Sequence, residues 1–357
     1  MSKTTTSAAD SATIRLRSKA LVGGSIEIAA NKRRRKRRLA SGRRLKELTV
    51  PLFMWFLREA PRPLAKLPVT AFLGLVRLLH RVPSNPLRRA VEDMSVICRA
   101  KGQDIEAVAI YEGLLDNTHA ATELALRLYR DGWESAIDDV HISAADVTRI
   151  QNLVDQYGGV AVAVPHNIGS VLSGVRFAKA FSSVLVAKNP TSIERTRIAL
   201  DFFEHLDAKV LMVRDASAMR IARLLIKPLR SGKAVVLTFD LLAGPEDGIA
   251  AMVFGERLWF PAWVTRVPTA AGVPIVPAYV HTVGSQMHVS FGPKILAGSA
   301  DEATAGIAEF FEQHVVEDPA SWAFMADKRW GRVLAEAAAR SPFSGKAAAA
   351  PGQSSER

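Results

Sequence analysis

Short apolar runs alternate with amphipathic segments over the second half of the chain, after a region of helical spacing at 85–157. Short apolar runs predict buried strands, and apolar residues at steps of three and four predict helices. The predicted strands cover 160–164, 183–187, 209–213, 234–239, 274–280 and 287–291, and the predicted helices cover 170–180, 191–206, 217–231, 262–272 and 301–315. This alternation predicts an α/β fold with a largely parallel central sheet flanked by helices.

The N-terminal part has a different pattern, with apolar stretches at 48–57 and 67–79 separated by charged residues and two prolines. Neither stretch reaches the roughly 20 residues that span a bilayer. With Trp55 beside basic residues, they are typical of interfacial helices or of a helical hairpin lying in one leaflet. The alternative is a pair of helices packed on the core. We therefore expect an N-terminal helical membrane-associating region.

The positive charge is concentrated at the N-terminus. Of a net charge of +12, residues 1–48 carry +11, from fourteen Lys/Arg and three Asp/Glu. The nearly neutral remainder of the chain argues against a nucleic-acid-binding domain, because such a domain carries its basic face on the fold. The basic residues at 32–46 favour an anionic membrane surface, at about 1 kcal/mol per Lys or Arg. A solvated tail or a nucleic-acid-binding arm is the alternative.

These patterns divide the chain into four expected segments. Residues 1–47 are a disordered basic tail, 48–82 the membrane-associating helices, 83–338 the α/β domain and 339–357 a second disordered tail. The single cysteine, Cys98, precludes an intrachain disulfide and fits a reducing cytoplasm.

The candidate catalytic and binding residues are those that follow the predicted strands, because ligands of parallel α/β sheets bind outside the carboxyl ends of the strands. The residues there are His166, Asn167, Lys188, Asn189 and Asp240. His166 is a candidate general base, since imidazole accepts a proton near neutral pH. The asparagines are candidates to bind His166 or a substrate carbonyl, and Lys188 a phosphate or carboxylate. Turn formation by the asparagines and a solvated lysine are the alternatives.

Five sequence segments, in order, carry a family resemblance: 159–170, 234–240, 253–255, 270–279 and finally 319–322 with 328–330. Together they resemble the lipid A biosynthesis acyltransferases of the lysophospholipid acyltransferase superfamily, over roughly residues 85–335. The resemblance implies a bacterial enzyme, peripheral or monotopic at the cytoplasmic face of the inner membrane. It further implies an acyl-carrier-protein or acyl-CoA donor, a lipid acceptor, and His166 as the base that deprotonates the acceptor.

The chain departs from the family's HxxxxD/E pattern, because the fifth residue after His166 is Val171. Asp240 ends a strand where the family also has an aspartate, and it either substitutes for that carboxylate or caps the following loop. We favour the interpretation that Asp240 caps the following loop, since one sequence does not fix the distance between Asp240 and His166. Two functions remain: an acyltransferase with His166 and Asp240 as candidate catalytic residues, or an inactive relative that binds lipid or a protein partner.

Three large aromatic residues, Trp259, Phe260 and Trp263, fall within five positions. We expect them to form a substrate-binding loop that faces the acyl-chain groove or the membrane, because so many adjacent aromatics are rarely all buried. The chain has no Gly-rich phosphate loop, no nucleophile elbow and no Cys/His spacing typical of metal sites. No metal and no cofactor are therefore expected.

Overall fold

The computed structural model describes residues 59–188, 206–213 and 218–343, the backbone of 21–23, and positions 56, 196, 199, 200, 203 and 204. The basic residues at 32–46, most of the first apolar stretch and nearly all of the C-terminal tail lie outside the described residues. The bounds of the four expected segments remain predictions.

The described residues include ten strands and nine α-helices. The strands are β1 (Leu21–Gly23), β2 (Val140–His141), β3 (Gly159–Val164), β4 (Ser183–Lys188), β5 (Val210–Val213), β6 (Lys233–Thr238), β7 (Gly248–Val253), β8 (Glu256–Pro261), β9 (Ile275–Val283) and β10 (Gln286–Phe291). The helices are α1 (Arg62–Leu79), α2 (Pro86–Ala100), α3 (Ala107–Asp131), α4 (Ala144–Tyr157), α5 (Ser170–Ala180), α6 (Ala218–Leu229), α7 (Trp263–Ala271), α8 (Ala300–Glu317) and α9 (Lys328–Arg340).

The central sheet has the strand order β1-β5-β4-β6-β3-β9-β10-β2. Its pairs are parallel except for β9 with β10. β3 lies inside the sheet, and all six of its residues are buried. An unbroken apolar strand is expected when helices cover both faces of a parallel sheet. The predicted fold class is confirmed.

Two hydrophobic cores lie on opposite faces of the sheet. Val160 and Val162 of β3 belong to the core formed with α4 and α5. Ala161 and Ala163 belong to the other core, which includes residues of α2, α8 and α9. The alternation follows from the two-residue period of a strand. The sheet is thereby packed between helical layers on both faces.

Helix α1 packs against α3 through ion pairs. Arg62 pairs with Asp131, and Lys66 pairs with Glu123, at 2.7 and 2.6 Å. Only Ala65 and Leu73 of this helix are buried. No helix in the described part of the chain has the length and hydropathy needed to cross a membrane. The second apolar stretch is thus helical and attached to the core, with most of its apolar side chains turned outward.

The aromatic segment at 259–263 is not a loop, and this expectation was wrong. Trp259 and Phe260 belong to β8, which forms an antiparallel hairpin with β7, and Trp263 begins α7. Phe260 is 3% exposed and packs near Phe239, with ring centroids 6.1 Å apart. The hairpin places alternate β8 side chains against the core. Phe260 is therefore a core residue and does not face a groove.

Candidate functional site

The sheet register brings His166 and Asp240 together. β3 and β6 are parallel neighbours, and Val164 pairs with Thr238. Each functional residue lies two positions beyond that pair, at the carboxyl edge of the sheet. The Nδ1 atom of His166 is 2.5 Å from Oδ1 of Asp240, and the backbone N–H of His166 donates to Oδ2 at 2.9 Å. The two residues form a doubly hydrogen-bonded pair.

Asp240 does not serve as a loop cap, so the favoured reading of this residue was wrong. Its side chain is fully buried, and its carboxylate accepts hydrogen bonds from His166 and from the indole N–H of Trp322. A buried carboxylate accepts hydrogen bonds and holds a neighbouring imidazole in the Nδ1–H tautomer. The lone pair is then on Nε2 of His166, whose side chain is 27% exposed. This arrangement leaves Nε2 of His166 able to accept a proton from a bound molecule.

A segment following α8 fixes the loop that carries His166. The backbone N–H of Ile168 donates to the carbonyl of Ser321, and that of Ala323 donates to the carbonyl of His166, both at 2.8 Å. The ring of Phe324 stacks on the imidazole, with centroids 3.8 Å and planes 7° apart. The imidazole is thus held by Asp240 at Nδ1 and by Phe324 on one face.

Asn167 is buried and binds backbone groups, whereas the sequence predicted a contact with His166 or with substrate. Its side chain is 3% exposed. Its Oδ1 accepts from the N–H of Val280 at 3.1 Å, and its amide donates to the carbonyl of Ser321 at 3.3 Å. Because both ends of the amide bind backbone, the residue connects the His166 loop to β9. The asparagine side chain that follows the histidine is structural.

The other predicted substrate-binding residues that the structure describes lie at the end of β4, in β8 and at the start of α7. Lys188 ends β4 at the same edge of the sheet, while its side chain and Asn189 lie outside the described residues. Trp259 is half-buried, with the guanidinium of Arg257 5.9 Å from its ring centroid. Trp263 is half-buried against the core at the start of α7. A substrate-binding role for these four residues stays a prediction.

Comparison with protein families gives a match to the bacterial lipid A biosynthesis acyltransferases over residues 134–332, more than half of the chain. The chain belongs to this family. The matched region contains His166, Asp240 and Trp322, so the whole site described above lies within the family domain. No curated protein matches the chain. The family supports a lipid acyltransferase.

In this acyltransferase domain, the position five residues after the histidine holds Val171. It is the second residue of α5, and its side chain is 47% exposed. A valine neither accepts a hydrogen bond nor stabilises an imidazolium. The carboxylate that contacts His166 comes from the end of another strand instead.

Other reactive groups of the acyltransferase domain are less suited to chemistry. Cys98 is buried, and burial raises the pKa of its thiol to about 12. Complete burial next to Asp318 raises the pKa of the Tyr279 hydroxyl well above its usual value. A thiol with so high a pKa is a poor nucleophile at neutral pH.

A second histidine–carboxylate pair lies beside β9. Nδ1 of His281 is 3.0 Å from Oδ2 of Asp318, and the two side chains are 22% and 24% exposed. Asp318 is thus not buried as Asp240 is. Burial of the carboxylate therefore distinguishes the pair at His166 from the pair at His281.

Sequence reasoning missed Ser321, Trp322 and Phe324 as site residues. The segment 319–322 contributed to the family resemblance, so its position in the family order was the available signal. Nothing in the chain around Phe324 indicates a partner, because the contact with His166 depends on how the segment after α8 returns to the sheet edge.

Proposed function

We propose that this protein transfers a fatty acyl chain from an acyl-carrier-protein or acyl-CoA thioester to a hydroxyl or amine of a lipid acceptor. His166 is the general base, and Asp240 orients it. The observation that carries the proposal is the 2.5 Å contact between Nδ1 of His166 and the fully buried Asp240 carboxylate. Membership of the acyltransferase family supplies the reaction class.

The reaction follows from the tautomer that Asp240 holds. Nε2 of His166 takes the proton of the acceptor O–H or N–H while the acceptor atom attacks the thioester carbonyl. The tetrahedral intermediate then collapses, the C–S bond breaks, and the imidazolium returns the proton to the leaving thiolate. Asp240 stabilises the imidazolium between the two proton transfers.

The same geometry favours an enzyme over an inactive lipid-binding relative. Burying a carboxylate is costly unless hydrogen bonds compensate it. A protein that only binds lipid gains nothing from placing such a group against a half-exposed imidazole. In an inactive relative we expect apolar side chains on all sides of His166. Here the Asp240 carboxylate contacts Nδ1 of His166, which is not expected of an inactive relative.

We also propose that the outer face of α1 lies against an anionic membrane, where the lipid acceptor is found. The exposed apolar side chains of this helix are Leu64, Leu67, Phe72, Leu75, Leu78 and Leu79, with exposures from 43% to 62%. We call these six residues the α1 stripe. A helix with one apolar face and one ion-paired face suits the membrane interface. The basic residues at 32–46 precede the stripe in the chain and complement anionic headgroups.

The α1 stripe and the site are joined by α3. Asn117 of α3 donates to the hydroxyl of Ser321 at 3.3 Å, on the segment that holds His166. Earlier on the same helix, Glu112 pairs with Arg77 of α1 at 2.5 Å. One helix therefore contacts both the proposed membrane-docking helix and the segment that holds the base, which supports peripheral attachment of the domain; the cytoplasmic face of the inner membrane is the proposed location.

The test compares acyl transfer by full-length wild type, His166→Ala and His281→Ala. Donors are a panel of acyl-carrier-protein and acyl-CoA thioesters, the acceptor is a detergent-solubilised bacterial lipid extract, and products are read by mass spectrometry. His281→Ala is the matched control, because it also removes an imidazole paired with a carboxylate. Loss of transfer in His166→Ala alone supports the proposal. No transfer by wild type with any donor, while lipid still binds, supports the inactive relative.

A further inference from the structure

The Asp240 carboxylate is a buried anion that depends on a small number of donors. Oδ1 contacts Nδ1 of His166, and Oδ2 accepts from the His166 backbone at 2.9 Å and from Nε1 of Trp322 at 3.1 Å. Among the described residues, no lysine or arginine forms an ion pair with this carboxylate. Two of its three donors belong to His166 itself. Trp322 is the one donor that comes from another residue in this part of the chain.

The indole of Trp322 is held rigidly in that position. Trp322 is 0% exposed and lies edge-to-face against Trp330, with ring centroids 4.9 Å apart and planes at 86°. Phe311 packs against it in the same manner, at 5.4 Å and 78°. Aromatic pairs prefer this geometry. The direction of the Trp322 N–H is therefore fixed by packing and is not free to follow the carboxylate.

Trp330 offers an internal comparison, because its indole donates to the same residue at a different atom. Its Nε1 donates to the backbone carbonyl of Asp240 at 2.8 Å, and the residue is 1% exposed. Both tryptophans are thus buried in one cluster and both bind Asp240. They differ in that Trp322 contacts the carboxylate and Trp330 contacts the backbone.

We infer that Trp322 is a positioning residue that tunes the interaction between Asp240 and His166 through its hydrogen bond to the Asp240 carboxylate. A donor to a carboxylate stabilises the anion and lowers its affinity for a proton. An anion stabilised in this way attracts the neighbouring imidazolium less strongly. Trp322 is therefore placed to weaken the attraction between the Asp240 carboxylate and a protonated His166.

Other charged groups around the pair do not contact the carboxylate. Arg329 of α9 donates to the carbonyl of Leu242 in the loop after Asp240. His281 of β9 is paired with Asp318. Phe324, which stacks on His166, is uncharged. Tyr279 of β9 interacts electrostatically with Asp240, but its hydroxyl donates to the carbonyl of Asp318. Within the described residues, Trp322 is the residue other than His166 that donates a hydrogen bond to the carboxylate.

The experiment is an NMR titration of the His166 imidazole in full-length wild type, Trp322→Phe and Trp330→Phe, with His166→Ala identifying the signal. Loss of one donor to a buried charge moves the titration midpoint of Trp322→Phe upward by about half a pH unit or more. The midpoint of Trp330→Phe stays within about 0.2 of wild type, because its carboxylate donors are intact. An unchanged midpoint in Trp322→Phe, or equal shifts in both variants, overturns the inference.

A second replacement covers the case in which Trp322→Phe does not fold. Exchange of the Trp322 indole for the isosteric benzothiophene removes the N–H and keeps the shape of the ring. The same upward shift is expected, and an unchanged midpoint again overturns the inference. This isostere separates hydrogen bonding from packing, which an ordinary substitution of a buried tryptophan does not.

The consequence for catalysis rests on the proposed function, but the titration does not. If both are right, the acidic limb of the pH profile of kcat/KM moves to higher pH in Trp322→Phe. If the proposed function is wrong, wild type transfers no acyl chain while the titration shift remains. If the proposed function is right and the inference is wrong, wild type transfers acyl chains and the His166 titration midpoint does not move in Trp322→Phe.

Discussion

Oδ1 of Asp240 lies 2.5 Å from Nδ1 of His166, although 74 positions separate the two residues in the chain. They meet because β3 and β6 are parallel neighbours in register and each residue follows its strand by the same two steps. An orienting carboxylate is thus supplied by the next strand of the sheet. The helix after the histidine, where Val171 stands, does not supply it.

Val171→Glu tests whether the orienting position is already filled. Because Nδ1 of His166 is engaged by Asp240, a new carboxylate on the exposed start of α5 has no free imidazole N–H to bind. We expect kcat/KM of acyl transfer to change by less than about threefold, with a slight gain in stability from a negative charge at a helix N-terminus. An increase of tenfold or more would show that wild type lacks an effective orienter.

Gly169→Ala tests the backbone of the turn between His166 and α5. Gly169 has φ of +79°, and a Cβ there would lie 2.4 Å from Cε of the buried Met287. The left-handed conformation alone costs a non-glycine residue about 1–2 kcal/mol, and the clash adds to it. Gly158→Ala is the matched control, since Gly158 has φ of +73° with nothing within 4 Å.

The free energy of unfolding from denaturant titration is the measurement for this pair. Gly169→Ala is expected to lose clearly more stability than Gly158→Ala. Equal losses would mean that Met287 yields without cost and that the turn is looser than the structure indicates.

A row of imidazoles at the sheet edge makes stability depend on pH. His288 stacks on His141 with ring centroids 4.8 Å apart and lies opposite His281 in the β9–β10 ladder. Burial, together with His141 and His281, lowers the pKa of His288 below its usual 6.5. The unfolded chain therefore binds this proton first as the pH falls through about 6.5. Stability is lost from that pH down to the folded-state pKa, below which the loss stops.

His288→Gln removes this contribution. We expect its Tm to fall less than that of wild type between pH 7 and pH 5, by thermal unfolding at matched ionic strength. Ser290→Ala, on the same strand β10, removes no titratable group; it is the control and should follow wild type. A Tm profile of His288→Gln that runs parallel to wild type would contradict the interpretation.

The α1 stripe predicts membrane attachment. Replacing Phe72 and Leu75, which are 62% and 56% exposed, by glutamine removes apolar area without disturbing the core. Co-sedimentation of the double variant with phosphatidylglycerol-containing vesicles should weaken about tenfold or more, given about 1.5–3 kcal/mol per buried large apolar side chain. Glutamine at Val283 and Leu296, 63% and 53% exposed elsewhere, is the control. Equal weakening in both double variants would argue against a specific docking face.

Much of the fold followed from local pattern. The helix predicted at 170–180 has those same bounds. Ser143 caps α4, and its hydroxyl accepts from the N–H of Asp146. The predicted strands agree with β3, β4, β5, β6, β9 and β10 within a few residues. These elements were predictable because their apolar period and their caps are encoded locally.

The missed elements depend on long-range packing. The β7–β8 hairpin was not predicted, because its turn uses Phe254 at a φ of 54°, a conformation that is uncommon for residues other than glycine. The role of Asp240 depends on which strands are neighbours, and sequence order does not state that β6 lies beside β3. Trp322 and Phe324 reach the site only because the segment after α8 returns to the sheet edge.

The most direct test of the account is acyl transfer by full-length Asp240→Asn, with Asp318→Asn as the matched control from the second histidine–carboxylate pair. An amide in place of the carboxylate favours the wrong imidazole tautomer and no longer stabilises the imidazolium. We predict that kcat/KM of Asp240→Asn falls by about 10²-fold to 10⁴-fold, while Asp318→Asn keeps the activity of wild type. Wild-type activity in a folded Asp240→Asn protein would contradict the claim that Asp240 orients the base.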